Sequence, residues 1–374
     1  MSVTAAFERA RPTVERRPAA RPRPAGRTIL LTGGSGVVGQ ALLPTLADST
    51  TICLVHRSPV SGPNVECLPG DIAAPRLGLS RTAFADLASR IDCIIHSAAV
   101  THFGQAEDAI RCANVEGTAN VLELAARARV PVYHVSTAFV RVRSHSTQEP
   151  NAYELSKRDG DELVRTSGLP AAILRPSLVI GDSATGQIAR FQGIYLMLGM
   201  FLKGLLPVVP AREGAIADFI PQDVVADAIA GLVARGIQGG EYWLTAGDSA
   251  LTVGGFARLC AHYAEHLLGR AITLPRFVAP DIFDRLIKPV FLPELPGRYR
   301  RVLDRAAEVA RYMNVERRFP SSLERLESHI GAPLRVDPEL ALLRSLEHWA
   351  RAAGLVGRPE GGAARAAADG EVAA

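Results

Sequence analysis

The sequence predicts an α/β fold: a doubly wound parallel sheet followed by a smaller, mostly helical C-terminal lobe. Three observations carry that expectation. Short apolar runs alternate with amphipathic stretches from Thr28 onward, a glycine-rich turn follows the first run, and the alternation stops after Gly181. Strands that alternate with helices at this spacing make parallel sheets, because a parallel connection needs a crossover about as long as a helix. Strands are expected at 28–32, 51–55, 93–97, 131–136, 171–175 and 241–245, with amphipathic helices at 114–129 and 153–166 among the connections.

The ends of the chain read differently. Residues 1–27 hold seven Arg and four Pro with little apolar content, and 357–374 are Gly- and Ala-rich, so neither segment can bury enough surface to fold. Both are expected to be disordered. Between them, 28–190 are expected to form a dinucleotide-binding domain to which 218–245 return. Residues 191–217 and 246–356 are expected to form a substrate lobe punctuated by Pro207, Pro210, Pro275, Pro280, Pro289, Pro293 and Pro296. The total of 374 residues suits two such units or one large α/β domain.

Composition excludes several classes. With 48% hydrophobic and 21% charged residues the chain is globular rather than low-complexity. A net charge of +4 is too mild to indicate nucleic-acid binding. The five cysteines (Cys53, Cys67, Cys93, Cys112, Cys260) are odd in number and lack any CxxC pair, which argues against a disulfide framework or a zinc site and for a reducing cytoplasm. The N-terminus has no apolar core of a secretory signal. The apolar stretch 192–210 is interrupted by Lys203 and ended by Pro207 and Pro210, short of the roughly 20 residues that span a bilayer. It reads as a core helix, as the lining of a hydrophobic substrate site or as an interfacial helix.

Chemistry begins at the first turn. Ile29-Leu30-Leu31-Thr32-Gly33-Gly34-Ser35-Gly36-Val37-Val38-Gly39 runs from an apolar strand into a helix, as a dinucleotide-binding turn does. Its glycines let the backbone approach a pyrophosphate at the helix N-terminus, so Gly33, Ser35, Gly36, Val37, Val38 and Gly39 are candidate cofactor residues. The second strand ends Leu54-Val55-His56-Arg57-Ser58, with no acidic residue for the ribose hydroxyls of NAD(H). Arg57 is positioned by sequence to pair with a 2′-phosphate, favouring NADP(H) over NAD(H). Further on, Tyr153 and Lys157 lie four apart, on one face of the expected helix. A phenol titrates at about 10, so work near neutrality needs a cation beside it. Lys157 is one of only three lysines in the chain, with Lys203 and Lys288.

Thr32-Gly33-x-x-Gly36-x-x-Gly39 followed by Tyr153-x-x-x-Lys157 resembles the extended short-chain dehydrogenase/reductase superfamily. The resemblance implies a Rossmann-type sheet. It implies a catalytic set of Thr137, with Ser136 as fallback, Tyr153 and Lys157, Lys157 also binding the nicotinamide ribose. It places Asp71 and Ile72 at the adenine, and Ala98 and Ala99 beneath the cofactor. Asn114 matches the family's structural Asn, or serves as an N-cap of the following helix. The runs Leu174-Arg175-Pro176-Ser177-Leu178-Val179-Ile180-Gly181, Ser136-Thr137-Ala138-Phe139-Val140 and Asp218-Phe219-Ile220-Pro221-Gln222-Asp223 are similar to the thioester reductase and fatty acyl-CoA reductase branch. There Pro176 and Ser177 are implied to face the nicotinamide. Unlike many relatives, this chain has a short stretch between Val140 and Asn151.

The expected activity is NADPH-dependent reduction of an acyl thioester, acyl-CoA or carrier-bound, to aldehyde or alcohol, with any acyl carrier protein acting in trans. A dehydrogenase, ketoreductase or epimerase acting on an alcohol, a steroid-like ring or a nucleotide sugar uses the same triad, and a non-catalytic dinucleotide sensor uses the same turn. No metal is expected, because His262, Glu265 and His266 do not follow the HExxH order. The arginines from Arg298 to Arg318 read either as a solvated face or as a contact for coenzyme A phosphates or an acidic carrier. Oligomeric state is left open.

Overall fold

The computed structural model describes residues 25–101, 106–141, 150–291, 293–294, 297–335 and 337–356. Most of the expected N-terminal arm, all of the expected C-terminal tail and residues 142–149 of the short loop before Asn151 lie outside them.

Seven strands, β1 (Thr28–Thr32), β2 (Thr50–Val55), β3 (Val65–Pro69), β4 (Cys93–His96), β5 (Val132–Val135), β6 (Ala171–Pro176) and β7 (Gly240–Leu244), form one sheet in the order β7-β6-β5-β4-β1-β2-β3. Every pairing is parallel. Helices of six residues or more are α1 (Val37–Leu42), α2 (Arg81–Arg90), α3 (Gly117–Ala128), α4 (Ala152–Thr166), α5 (Gly193–Leu202), α6 (Gln222–Arg235), α7 (Val253–Leu268), α8 (Gly297–Tyr312), α9 (Leu323–Ile330) and α10 (Pro338–Ala352).

Successive strand side chains point to opposite faces, and in a sheet buried on both sides this sorts each apolar run into two cores. Ile29, Leu31, Cys53, Ile95, Tyr133 and Leu174 pack with α1, α6 and α9. Leu30, Ile52, Leu54, Ile94, Val132 and Ile173 pack with α2, α3 and α4. The sheet is therefore doubly wound, as expected. A third apolar cluster gathers α5, α7 and α10 with Val309, Ala310 and Met313 of the segment around the end of α8, and forms the core of the helical C-terminal region.

The expected strands fall within a residue or two of those of the seven-stranded sheet, to which β3 is an addition; short two-stranded pairs outside that sheet were not expected either. Its residues Val65-Glu66-Cys67-Leu68-Pro69 are exposed or half-buried at the sheet edge, so they lack the apolar run that marks the inner strands. The apolar stretch 192–210 resolves into α5, ten residues of mostly buried side chains. It is thus a core helix, and Met197 and Phe201 also line a small apolar cavity with Val209, Phe256 and Met313. Among the described residues no helix is long and apolar enough to cross a membrane.

This order brings the carboxyl ends of all seven strands to one edge and reverses direction between β1 and β4, the place where open α/β sheets bind ligands. The catalytic candidates of α4 reach that edge because the helix is held firmly at its start. The Asn151 side chain accepts from the Glu154 amide at 2.9 Å, and the Glu154 carboxylate accepts from the Asn151 amide at 3.3 Å, a reciprocal capping box.

Candidate active site

The glycine turn leaves β1 and closes against β4. Gly33 has φ +76°, and a Cβ there would lie 2.6 Å from the amide nitrogen of Ala98. A Cβ on Gly39 would lie 2.2 Å from the Gly33 carbonyl oxygen. Only glycine permits this double approach, which draws Ser97 and Ala98 beneath the turn. The Gly36 amide donates to the Gly33 carbonyl at 3.0 Å, and Gly36 is the N-cap of α1 without a side-chain cap. Ser35, Val37 and Val38 complete the turn. Arg57 lies exposed just beyond β2. Asp71 accepts from the Ala73 amide at 2.9 Å and stands 3.8 Å from the His56 ring, and the Ile72 carbonyl accepts from the Asn120 side chain at 2.8 Å.

A buried polar chain supports the turn from below. Thr118 donates its hydroxyl to the Asn114 carbonyl at 2.7 Å, so it accepts from His96 Nε2 at 3.1 Å. His96 Nδ1 then accepts from the Thr32 hydroxyl at 2.8 Å, and the same oxygen faces the Ala98 amide at 3.3 Å. Burial first, then the neighbouring His134 and Lys157, holds His96 well below the usual imidazole range and hence neutral. Asn114 is not an N-cap. It lies inside a π-helical turn, Cys112–Glu116, and its side-chain amide donates to Ser156 of α4 at 2.9 Å and to the Val100 carbonyl at 3.0 Å while accepting from the Val100 amide at 2.7 Å.

Thr137, Tyr153 and Lys157 meet at the edge between β5 and β6. Thr137 is buried just past β5, and its hydroxyl lies close enough to the Tyr153 phenol to act on its titration. Burial pushes the phenol up to about 12, against the opposing effect of the Thr137 hydroxyl. Lys157 Nζ donates to the Val135 carbonyl at 2.8 Å. Burial also lowers Lys157 to about 8, with the Asp161 carboxylate favouring its charge and the Arg175 guanidinium opposing it. Ser136, the fallback donor, instead faces Arg175 Nη1 at 3.3 Å. Pro176 ends β6, and the Ser177 amide donates to the Leu244 carbonyl at 3.1 Å. Next to Ser177, burial raises the carboxyl of Asp218 to about 6 although that acid accepts from the Ala246 amide at 2.9 Å.

Sequence reasoning missed what lies beneath these groups. Arg175 is fully buried and donates Nη1 to Asp161 Oδ2 at 2.7 Å. Its Nε and Nη2 reach Glu241 of β7 at 3.2 and 3.1 Å. His134 Nε2 stands 3.5 Å from the other Asp161 oxygen. Burial alone would raise Asp161, but the His134 ring and the Arg175 charge outweigh it and hold the acid ionised. Breaking such a buried pair by removing one partner costs about 3–5 kcal/mol. Tyr153, Lys157 and Asp161 stand at successive four-residue steps on α4, the one signal that could have found the acid.

The C-terminal region also touches α4. Asn151 donates its side-chain amide to the Tyr312 hydroxyl at 2.8 Å, and Arg311 pairs with Glu154 at 3.0 Å. Arg318 donates to the Ala250 carbonyl. Arg311, one of the arginines read as solvent- or phosphate-facing, is therefore an internal tie, whereas Arg300, Arg317 and Arg318 are exposed. On α7, the potential ligand atoms of His262, Glu265 and His266 lie within 4.8 Å of one another, and His266 Nδ1 lies 3.0 Å from the His262 carbonyl.

Residues 60–229 match the family model described as male sterility protein, a span that contains Thr137, Tyr153, Lys157 and Arg175. Among curated proteins, the chain is 29% identical over 249 residues to a glycine betaine reductase of Emericella nidulans, covering 54% of this chain and 19% of that protein. It is 31% identical over 234 residues to a fusarin C synthetase of Gibberella moniliformis, covering 55% and 6%. The chain thus spans less than a fifth of either relative's length. Among solved structures, the terminal R domain of a myxalamid PKS-NRPS pathway superposes with TM-score 0.68 at 25% identity, covering 96% of this chain and all of that one. The reductase domain of a Mycobacterium tuberculosis nonribosomal peptide synthetase shares the fold, with TM-score 0.63 at 22% identity over 90% of this chain and 94% of that one.

Sheet order, glycine turn and Tyr-x-x-x-Lys pair are those of an NAD(P)-binding, Rossmann-type domain. Over residues 60–229, less than half of its length, the chain is similar to the male sterility protein family, and it shares its fold with reductase domains of peptide synthetases. A Gly39→Ala chain is expected to lose about 1–3 kcal/mol to overpacking of the turn, read by urea unfolding, and to bind NAD(P)H less tightly in a fluorescence titration. Wild-type stability and affinity would show that the turn accommodates a methyl group.

Proposed function

We propose that the chain is an NADPH-dependent reductase that takes an acyl thioester, acyl-CoA or carrier-bound, to aldehyde or alcohol. The observation that carries this reading is the convergence of Thr137, just past β5, with Tyr153 and Lys157 of one helix, Lys157 Nζ donating to the Val135 carbonyl at 2.8 Å at the same sheet edge as the glycine turn. The names of the relatives, a glycine betaine reductase and reductase domains of peptide synthetases, support it.

The backbone cradle at Gly33 and Gly39, where a Cβ would overlap main chain, fits a dinucleotide pyrophosphate. Gly33, Ser35, Gly36, Val37, Val38 and Gly39 would hold it. Arg57 would take the 2′-phosphate, Asp71 and Ile72 the adenine side, Ala98 and Ala99 the floor, Lys157 the ribose, and Pro176 and Ser177 the nicotinamide edge. A bound nicotinamide supplies the hydride that turns the thioester carbonyl carbon into that of an aldehyde, with departure of the thiol.

The chain's own residues do the rest. Thr137 and Tyr153 donate to the carbonyl oxygen, and donors aimed where charge develops lower the barrier most. A phenol pushed up to about 12 rests protonated, which suits it to donate in the reductive direction. Lys157 has donors to spare beyond the one given to Val135, and its charge steadies Tyr153 as the phenolic proton shifts.

The direct test is NADPH oxidation across acyl-CoA and acyl-pantetheine thioesters of different chain length, with aldehyde trapping. NADPH binding without turnover on any of them would move the assignment to ketone or alcohol chemistry. Tyr153→Phe is expected to lower turnover about 100-fold or more while NADPH affinity stays near wild type. Arg57→Ala is expected to weaken NADPH about tenfold or more and NADH much less; equal losses would refute the 2′-phosphate role. Above pH 8 or so, kcat/KM is expected to decline as Lys157 loses its proton, with a plateau at lower pH, and a profile flat through that range would remove Lys157's charge from the mechanism.

A further inference from the structure

We propose that Arg175 is the positioning residue of the oxyanion donors: its buried guanidinium ties the Ser136-Thr137 end of β5 to the stripe of α4 that carries Tyr153 and Lys157. The inference rests on the functional reading above, in which Thr137 and Tyr153 hold the substrate oxygen.

The two donors come from different elements. Thr137 stands just past the end of β5, where its hydroxyl lies 3.4 Å from the Phe139 amide, a long and weak contact. Tyr153 belongs to α4 and is fixed by that helix's capping box. Beyond the bond from Lys157 Nζ to the Val135 carbonyl at 2.8 Å, holding the two donors at one separation calls for a further cross-tie. Arg175 Nη1 makes one: it lies 2.7 Å from Asp161 Oδ2 on α4, 3.3 Å from the Ser136 hydroxyl and 3.4 Å from the Thr137 carbonyl. One of its protons serves the carboxylate and the other is shared between the two β5 oxygens.

The rest of the fork fixes the plane. Nε and Nη2 both reach Glu241 on β7, which also accepts from Arg165 of α4 at 2.8 Å. A planar guanidinium held on both sides cannot rotate without moving its third side, and a lysine ammonium cannot reach both carboxylates at once. Charge neutralisation alone would be met by Asp161 and Glu241. The further contacts go to the donor's own carbonyl and to the residue before it, where displacements of about 1 Å can cost about 100-fold in rate.

The test is a double-mutant cycle of Thr137→Ala and Arg175→Lys in the full chain. It is read as single-turnover rate with NADPH and the fastest thioester of the panel, beside NADPH affinity. Thr137→Ala is expected to slow the reaction about 100-fold or more. Arg175→Lys is expected to slow it about tenfold or more with NADPH affinity within about threefold of wild type. The double variant should fall within about threefold of Thr137→Ala, because with the donor gone nothing is left to position. Should Arg175→Lys fail to fold, Asp161→Asn, which keeps an oxygen acceptor and the volume, takes its place in the same cycle with the same expectation. Multiplying losses, or NADPH affinity that falls in step with rate, would overturn the positioning role while leaving the functional reading intact. A Thr137→Ala chain with wild-type rate, or no turnover with any thioester, would remove the functional reading and this inference with it.

Discussion

The buried ion pair of Arg175 with Asp161 is the contact on which the candidate catalytic edge of the sheet depends. Arg175 is fully buried and Asp161 nearly so. Charges so far from water are tolerated only when paired and hydrogen-bonded, and this pair answers that demand by recruiting groups from four elements. Strand β6 supplies the guanidinium, α4 the carboxylate, β5 a hydroxyl and a carbonyl, and β7 a second carboxylate. Because each of these elements needs the guanidinium in the same place, their mutual register at the carboxyl edge follows from satisfying one cation.

Helix α4 shows how a single periodicity serves several ends. Tyr153, Lys157 and Asp161 share one stripe, running from the open edge toward the buried interior. Burial acts on each, yet with different results. The phenol and the ammonium are pushed toward their neutral forms, whereas the carboxylate is kept charged by His134 and Arg175. The stripe therefore grades from a protonated donor, through a cation that can lose its proton near neutrality, to a fixed anion.

The helical C-terminal region is not a separate appendage to this arrangement. Tyr312 and Arg311 hold Asn151 and Glu154, the two residues that cap α4, and Phe139 packs edge-on against the Tyr312 ring at 4.9 Å. Movement of α8 would thus be felt at the first turn of α4 and at the strand end beside Thr137.

The sheet, its winding and the glycine turn were legible in the sequence because they rest on local rules. Continuous apolar runs, buried on both faces, mark the inner strands, helix-length crossovers make the sheet parallel, and the turn at Gly33 and Gly39 tolerates no side chain. Where local pattern fades, so does the reading: β3 is an edge strand with little apolar character, and Asn114 looks like a cap until its amide is seen bridging Val100 and Ser156. Tyr153 and Lys157 declared themselves by spacing along one helix. Asp161, Arg175 and Glu241 did not, since they sit on three elements and look like ordinary surface charges until the sheet order puts them side by side. Sequence determined which elements form and which faces they bury, through short-range sterics and hydrophobic period. Only the tertiary structure decided which charges leave water together, because that depends on contacts between residues far apart in the chain.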